Sequence, residues 1–269
     1  MYNKTILTLA VATATLALAH EAKAQTNLQV FYDFGKDRGH VTTTVEGFYN
    51  DNWGNTFFFV DHDFNNKLKD NSIVSPNGTY MEIARCFNFW HSVPVLNGFS
   101  LQAEYNGGIY NQFSINNAFL TGLDYFIHSK DYKNTLNLKV LYKWIDYRGV
   151  RESAPEAFKD YNFKSLAPMQ FTVVWGLQDL FGAKGLRFSG FADFWWQDHV
   201  LFYDEKGNNL ESPEVSHIEF ISEPQLWYSV GQWFGVPNFN IGGEVELSWD
   251  FGSSRGFWVR PCVGAKWVF

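Results

Sequence analysis

Residues 239–269 carry a pattern that recurs along the whole chain. In NFNIGGEVELSWDF, Phe239, Ile241, Val245, Leu247, Trp249 and Phe251 fall on one parity, and Asn240, Glu244, Glu246, Ser248 and Asp250 fall on the other. Successive side chains of a strand point to opposite faces, so this stretch predicts a strand with one apolar and one polar face. In GFWVRPCVGAKWVF, Phe257, Val259, Val263, Ala265, Trp267 and Phe269 share a face, opposed by Arg260 and Lys266. The same alternation predicts twelve strands, at about 27–34, 39–51, 54–64, 78–91, 98–110, 115–128, 134–147, 168–179, 185–198, 215–230, 239–251 and 256–269. No long helical periodicity competes with them. Short connections at 50–52, 92–97, 128–134, 178–185 and 235–238 alternate with mostly longer ones at 65–77, 148–167 and 198–214. The connections at 35–38 and 252–255 are the exceptions, short on the long side. An even number of strands, with short turns at one end and long loops at the other, predicts one all-β domain, an antiparallel barrel whose last strand pairs with its first.

Alternation alone leaves open which face is inside. A soluble sandwich or lipocalin-like barrel would point its apolar parity inward, and a membrane barrel would point it at lipid. The first 24 residues favour lipid. Lys4, an apolar run over 6–19 and Ala22-Lys23-Ala24 before Gln25 read as a cleaved signal peptide, so residues 25–269 form the exported chain. Aromatics make up 19% of the sequence, and Trp53, Trp90, Trp144, Trp196, Trp249 and Trp267 fall near strand ends, where interface anchors sit. No later stretch approaches the roughly 18 apolar residues of a membrane helix. These features predict a twelve-stranded transmembrane β-barrel in a bacterial outer membrane, with short periplasmic turns and longer extracellular loops. Its surroundings would be outer-membrane lipid and lipopolysaccharide. A net charge of −7 argues against nucleic acid as a partner. Cys86 and Cys262 lie in predicted strands of an exported chain, so either a disulfide or two unpaired wall residues fits.

If the apolar parity faces lipid, the other parity lines the lumen. It presents Phe57, Phe59, Asp61 and Asp63, then Tyr80, Glu82, Cys86 and Asn88, then Gln102, Glu104 and Asn106. Further on it presents Lys139 and Lys143, then Arg187, Asp193 and Trp195, then His217, Glu219, Glu223 and Gln225. Arg85 falls on the apolar parity, so it reaches the pore only by snorkelling or through a bulge. Glu244 and Glu246 neighbour Arg260 and Lys266 across the last strand pair, and this charge matching braces the wall. The remainder offers weak, distributed contacts suited to a small, flat, polar solute.

Other chemistry is less well supported. A barrel hydrolase needs Ser and His side chains converging at one edge. His91-Ser92, His128-Ser129 and Ser216-His217 are chain neighbours, and neighbours on a strand diverge. In Asp61-His62-Asp63 the histidine opposes both carboxylates, a poor start for a metal site. No catalytic residue, metal or cofactor is predicted. A non-conducting barrel whose loops 65–77, 148–167 and 198–214 bind a partner is the main alternative to a channel.

The run EGFYNDNWGNTFFFVDHDF followed by GTYMEIARCFNFW resembles the Tsx-like nucleoside-specific channels of bacterial outer membranes. The resemblance is carried by Glu46, Phe48, Trp53, Phe57, Phe58, Phe59 and Asp61, and then by Met81-Glu82-Ile83, Arg85 and Phe87. It is fainter at Trp195-Trp196-Gln197-Asp198 and at Gly264 and Phe269. It implies a monomeric twelve-stranded barrel with a narrow pore passing nucleosides by diffusion, with Phe59, Asp61, Glu82 and Arg85 at the lumen. The full set of expected pore-lining residues is Phe59, Asp61, Asp63, Glu82, Arg85, Asn88, Glu104, Arg187, Asp193 and Trp195. Glu244, Glu246, Arg260 and Lys266 are expected to brace the wall.

Overall fold

The computed structural model describes residues 23–35, 38–64, 75–111 and 114–269. Most of the expected signal peptide and of the 65–77 loop lies outside them. The first strand, β1 (Lys23–Asp33), starts two residues before Gln25. Then follow β2 (Val41–Asp51), β3 (Gly54–Phe64), β4 (Pro76–Phe87), β5 (Phe99–Tyr110), β6 (Ser114–His128) and β7 (Asn134–Ile145). The chain continues through β8 (Met169–Gln178), β9 (Leu186–Tyr203), β10 (Asn209–Ser222), β11 (Gln225–Tyr228), β12 (Phe239–Trp249) and β13 (Phe257–Val268). Each strand pairs antiparallel with its neighbours, and β13 returns to β1 from Asn27↔Val268 to Asp33↔Cys262. Closure leaves no free edge, as a sheet in lipid requires.

Strands β10 and β11 occupy one wall position between β9 and β12, so the barrel has twelve positions although the chain forms thirteen strands. The predicted strand 215–230 is thus divided at Glu223-Pro224. Pro224 has no N–H to give the ladder, which lapses there.

Burial along the wall is inverted relative to a soluble protein. On β1, Leu28, Val30 and Tyr32 are 37%, 44% and 38% exposed, while the alternating Asn27, Gln29 and Asp33 are 5%, 0% and 2% exposed. The apolar parity therefore faces outward and the polar parity faces inward, the arrangement of a transmembrane barrel. Trp53, Trp144, Trp249 and Trp267 are exposed. Among the described residues no helix is long and apolar enough to cross a membrane.

The rim holding Lys23 and Phe269 has compact connections, of which the tightest is 52–53. Gly54 follows it at φ +139°, where a Cβ would lie 2.1 Å from the Cys86 carbonyl oxygen, so only glycine closes this turn against β4. The opposite rim differs from expectation. Most of the predicted loop 198–214 is strand, because β9 and β10 extend as a hairpin with a turn at 204–208. Its polar sequence reads as loop because hairpin above the membrane needs no lipid-facing stripe. The 146–168 segment contains helix α1 (Arg148–Ser153) and folds onto this extension. There Ala154 and Phe163 pack on Val200, with Tyr147, Val150, Phe158 and Tyr161 around them.

Candidate functional site

Residues paired directly across a ladder share a face, so strand register locates the inward side chains. One continuous row runs Gln29, Thr44, Asp61, Tyr80, and another runs Asn27, Glu46, Phe59, Glu82, Asn106. Phe59, Asp61, Asp63, Glu82, Glu104, Arg187, Asp193 and Trp195 all stand on this inward parity. Arg85 and Asn88 do not. Arg85 lies on the outward parity opposite Thr56, where its guanidinium donates to Thr56 Oγ1 at 3.0 Å and to Asp51 at 2.8 Å. Asn88 follows the end of β4 and caps the turn there, donating to the Asn97 carbonyl and accepting from the Trp90 N–H. Neither is a pore-wall residue.

The inward carboxylates are held by wall donors. Asp61 accepts from Thr44 at 2.5 Å, and Asp63 accepts from Thr42 at 2.6 Å and Tyr110 at 2.9 Å. Glu82 accepts from Tyr80 at 2.5 Å, and the Tyr80 ring lies 5.8 Å from that of Phe59. Glu104 accepts from Gln102 at 2.5 Å, and Asp124 from Asn137 at 2.8 Å. Such bonds fix the side chains against the inner wall.

The four residues expected to brace the wall meet different partners. Glu246 and Arg260 are directly paired and bonded at 2.5 Å, with both side chains buried. Arg38 adds a second guanidinium to Glu246 and bonds Asp33 at 2.9 Å, tying the 34–40 connection to the wall. Glu244 opposes Cys262, not a cation, and accepts from Gln225 at 2.6 Å. Lys266 opposes Asn240 and places its Nζ 4.2 Å over the Trp227 ring. Two other cations do likewise: Lys143 lies 3.9 Å over Trp195, and the Arg260 guanidinium lies 4.7 Å over Trp258. These cation–aromatic contacts are the main feature that alternation did not reveal.

Among the described residues Trp227 is the largest fully buried side chain; it is absent from the expected set, although it follows Gln225 on the same parity. It pairs with Gly242, which pairs with Gly264, which pairs with Phe31. The two glycines leave a floor on which the two rings meet.

Neither cysteine is bonded. Cys86 is buried on β4, with its thiol 3.3 Å from Gln102 Oε1, and Cys262 is partly buried on β13. The Ser–His neighbours address different partners. Ser216 donates to Asp250 at 2.7 Å, whereas His217 meets Asp198 at 2.8 Å. A register shift between Ser216 and Ile218 leaves His217 59% exposed, not in the lumen as its parity suggested. His62 lies outward and bonds Thr79 at 2.8 Å, away from both carboxylates. At the loop-bearing rim Arg255 bonds Glu205 at 2.9 Å and Glu214 at 3.1 Å, and the first of these bonds holds the Glu205 carboxyl below its usual range.

The family model described as a domain of unknown function, DUF5020, matches residues 24–269. The chain belongs to the DUF5020 family. No curated protein matches this DUF5020 chain in sequence. Among solved structures it is similar to the NanC porin, at 8% identity over 90% of this chain and 98% of that one, with a TM-score of 0.49. It is also similar to the calcium-bound outer membrane phospholipase dimer of Salmonella typhi, at 12% identity over 90% of each chain, TM-score 0.49. A third is Pseudomonas aeruginosa OccK2 in complex with glucuronate, at 11% identity over 93% and 98%, TM-score 0.38.

Proposed function

We propose that this DUF5020 chain, exported by a signal peptide at 1–24, is a monomeric outer-membrane channel for passive diffusion of small polar solutes, with nucleosides as the preferred class. One observation carries the reading: the barrel is inside-out, with charged and amide groups turned to an interior that lipid cannot fill. Nucleosides are supported by the resemblance at residues 45–91. They are supported too by Phe59 and Tyr80 rings beside the Asp61 and Glu82 carboxylates, since aromatic faces stack on bases and carboxylates accept from ribose hydroxyls.

Swelling of liposomes containing the purified chain tests this. Iso-osmotic uridine or adenosine should swell them faster than a disaccharide, and equal swelling with every solute would remove the nucleoside preference.

A second reading has its own support. Gln29, Asp124 and Ser248 are 0% exposed, so parts of the interior are packed tightly. That favours a non-conducting barrel whose β9–β10 hairpin and 146–168 segment bind a partner. Absence of swelling with any solute would select it.

A further inference from the structure

The middle of the lumen is short of hydrogen-bond donors. Glu82 on β4, Glu104 on β5 and Asp193 on β9 all point inward, with β6, β7 and β8 between β5 and β9. The three carboxylates are within electrostatic reach of one another. Asn106, directly opposite Glu82 and two residues from Glu104, is 5% exposed, and its Oδ1 is buried without a hydrogen-bond partner. Asp193 Oδ1 is also buried and unpartnered. A buried acceptor left unmatched costs about 1–3 kcal/mol.

The resident cations leave these acceptors unmatched. Lys143 gives its Nζ to Gln170 Oε1 at 2.8 Å and rests on the Trp195 ring. Lys139, also within reach, is shared with Asp124. Lys139 and Lys143 are thus divided among Asp124, Glu219 and the three carboxylates, and Glu219 also has His199 at 3.4 Å. Among the described residues no group of three or more His, Cys, Asp or Glu is placed to hold a metal ion. The carboxylates come from strands separated by β6, β7 and β8, a spread that suits an elongated cation with N–H donors at its ends better than a bare ion.

We infer that this level of the lumen binds a solute bearing primary ammonium or guanidinium groups, with Glu82, Glu104 and Asp193 as counter-charges and Asn106 Oδ1 as an added acceptor. The site goes beyond a neutral nucleoside and rests on the channel reading only where conduction is measured. An ammonium entering it would donate to the two orphan oxygens and neutralise part of the acidic excess.

The experiment uses the purified full chain in planar bilayers with 1,4-diaminobutane as the probe. Under a KCl gradient the reversal potential should take the sign set by K⁺, and diaminobutane should block the steps. The variant E82Q/E104Q/D193N should weaken that block by roughly tenfold or more. A Cl⁻-directed reversal potential, or block untouched by the triple variant, overturns the inference and leaves the channel reading standing. If no steps are seen, the channel reading fails, and calorimetric titration of the detergent-solubilised chain with diaminobutane decides. Saturable binding lost in the variant supports the site, and no binding overturns it.

Discussion

Trp227 and Phe31 meet on the inner wall with ring centroids 5.5 Å apart and planes inclined at 52°. They stand on strands separated by β12 and β13, and the ladder between them runs through Gly242 and Gly264. A Cβ on Gly264 would lie 2.7 Å from the Phe31 ring, and one on Gly242 would lie 2.7 Å from the Trp227 ring and 2.1 Å from the Leu226 carbonyl oxygen. Gly264→Val should therefore destabilise the barrel by about 1–3 kcal/mol, through overpacking. Trp227→Ala should cost roughly 3–5 kcal/mol, through the cavity and the lost Lys266 contact. Urea unfolding in lipid vesicles followed by tryptophan fluorescence measures both, and a Gly264→Val barrel as stable as the parent would contradict the packing.

The Glu246–Arg260 pair is buried, so losing one partner strands the other. Glu246→Ala should cost about 3–5 kcal/mol, and replacing both with Met or Leu should cost much less. Arg38 shares Glu246, so the single variant should also loosen the 34–40 connection. Hydrogen exchange of the Gly35 amide, which donates to Asp33 at 2.8 Å, reports that loosening.

Arg85 provides a contrast with the lumen carboxylates. Its ion pair with Asp51 is partly exposed, so Arg85→Ala should cost under about 1 kcal/mol. Because the side chain faces outward, unit conductance should be unchanged, whereas Asp61→Asn should alter it. A conductance change of similar size in both variants would show that the expected placement of Arg85 at the pore was right after all.

The hairpin turn carries a pH-dependent tie. The hydrogen bond from Arg255 lowers the Glu205 carboxyl below its ordinary value of 4.5. A depressed folded-state value means the tie contributes fully above 4.5 and is lost as pH falls through the lower, folded value. Carboxyl-carbon NMR of Glu205 should show a midpoint below 4.5 that returns toward 4.5 in Arg255→Ala.

Much of the wall is legible in the sequence, because lipid on one side and lumen on the other impose strict alternation on each strand. Strand β3 matches its expected span of 54–64 for that reason. Where one constraint lapses, the signal lapses with it. The hairpin past Asp198 stands clear of the lipid-facing stripe and reads as loop. Pro224 breaks a ladder without breaking parity, so one expected strand becomes two. Charge alone sets Glu244 and Glu246 as a group against Arg260 and Lys266, and only register shows Glu246 opposite Arg260 and Glu244 opposite Cys262. The Trp227–Gly242–Gly264–Phe31 row and the cations over Trp195 and Trp258 depend on side chains meeting inside the closed wall. No local pattern encodes them.

The central claim is that the acid-rich interior is a path and not a plug. Single-channel recording of the refolded full chain in planar bilayers tests it most directly. The account predicts small, discrete conductance steps that diminish when uridine or adenosine is added. A correctly folded, heat-modifiable barrel that inserts into the bilayer and gives no steps at any voltage would contradict it.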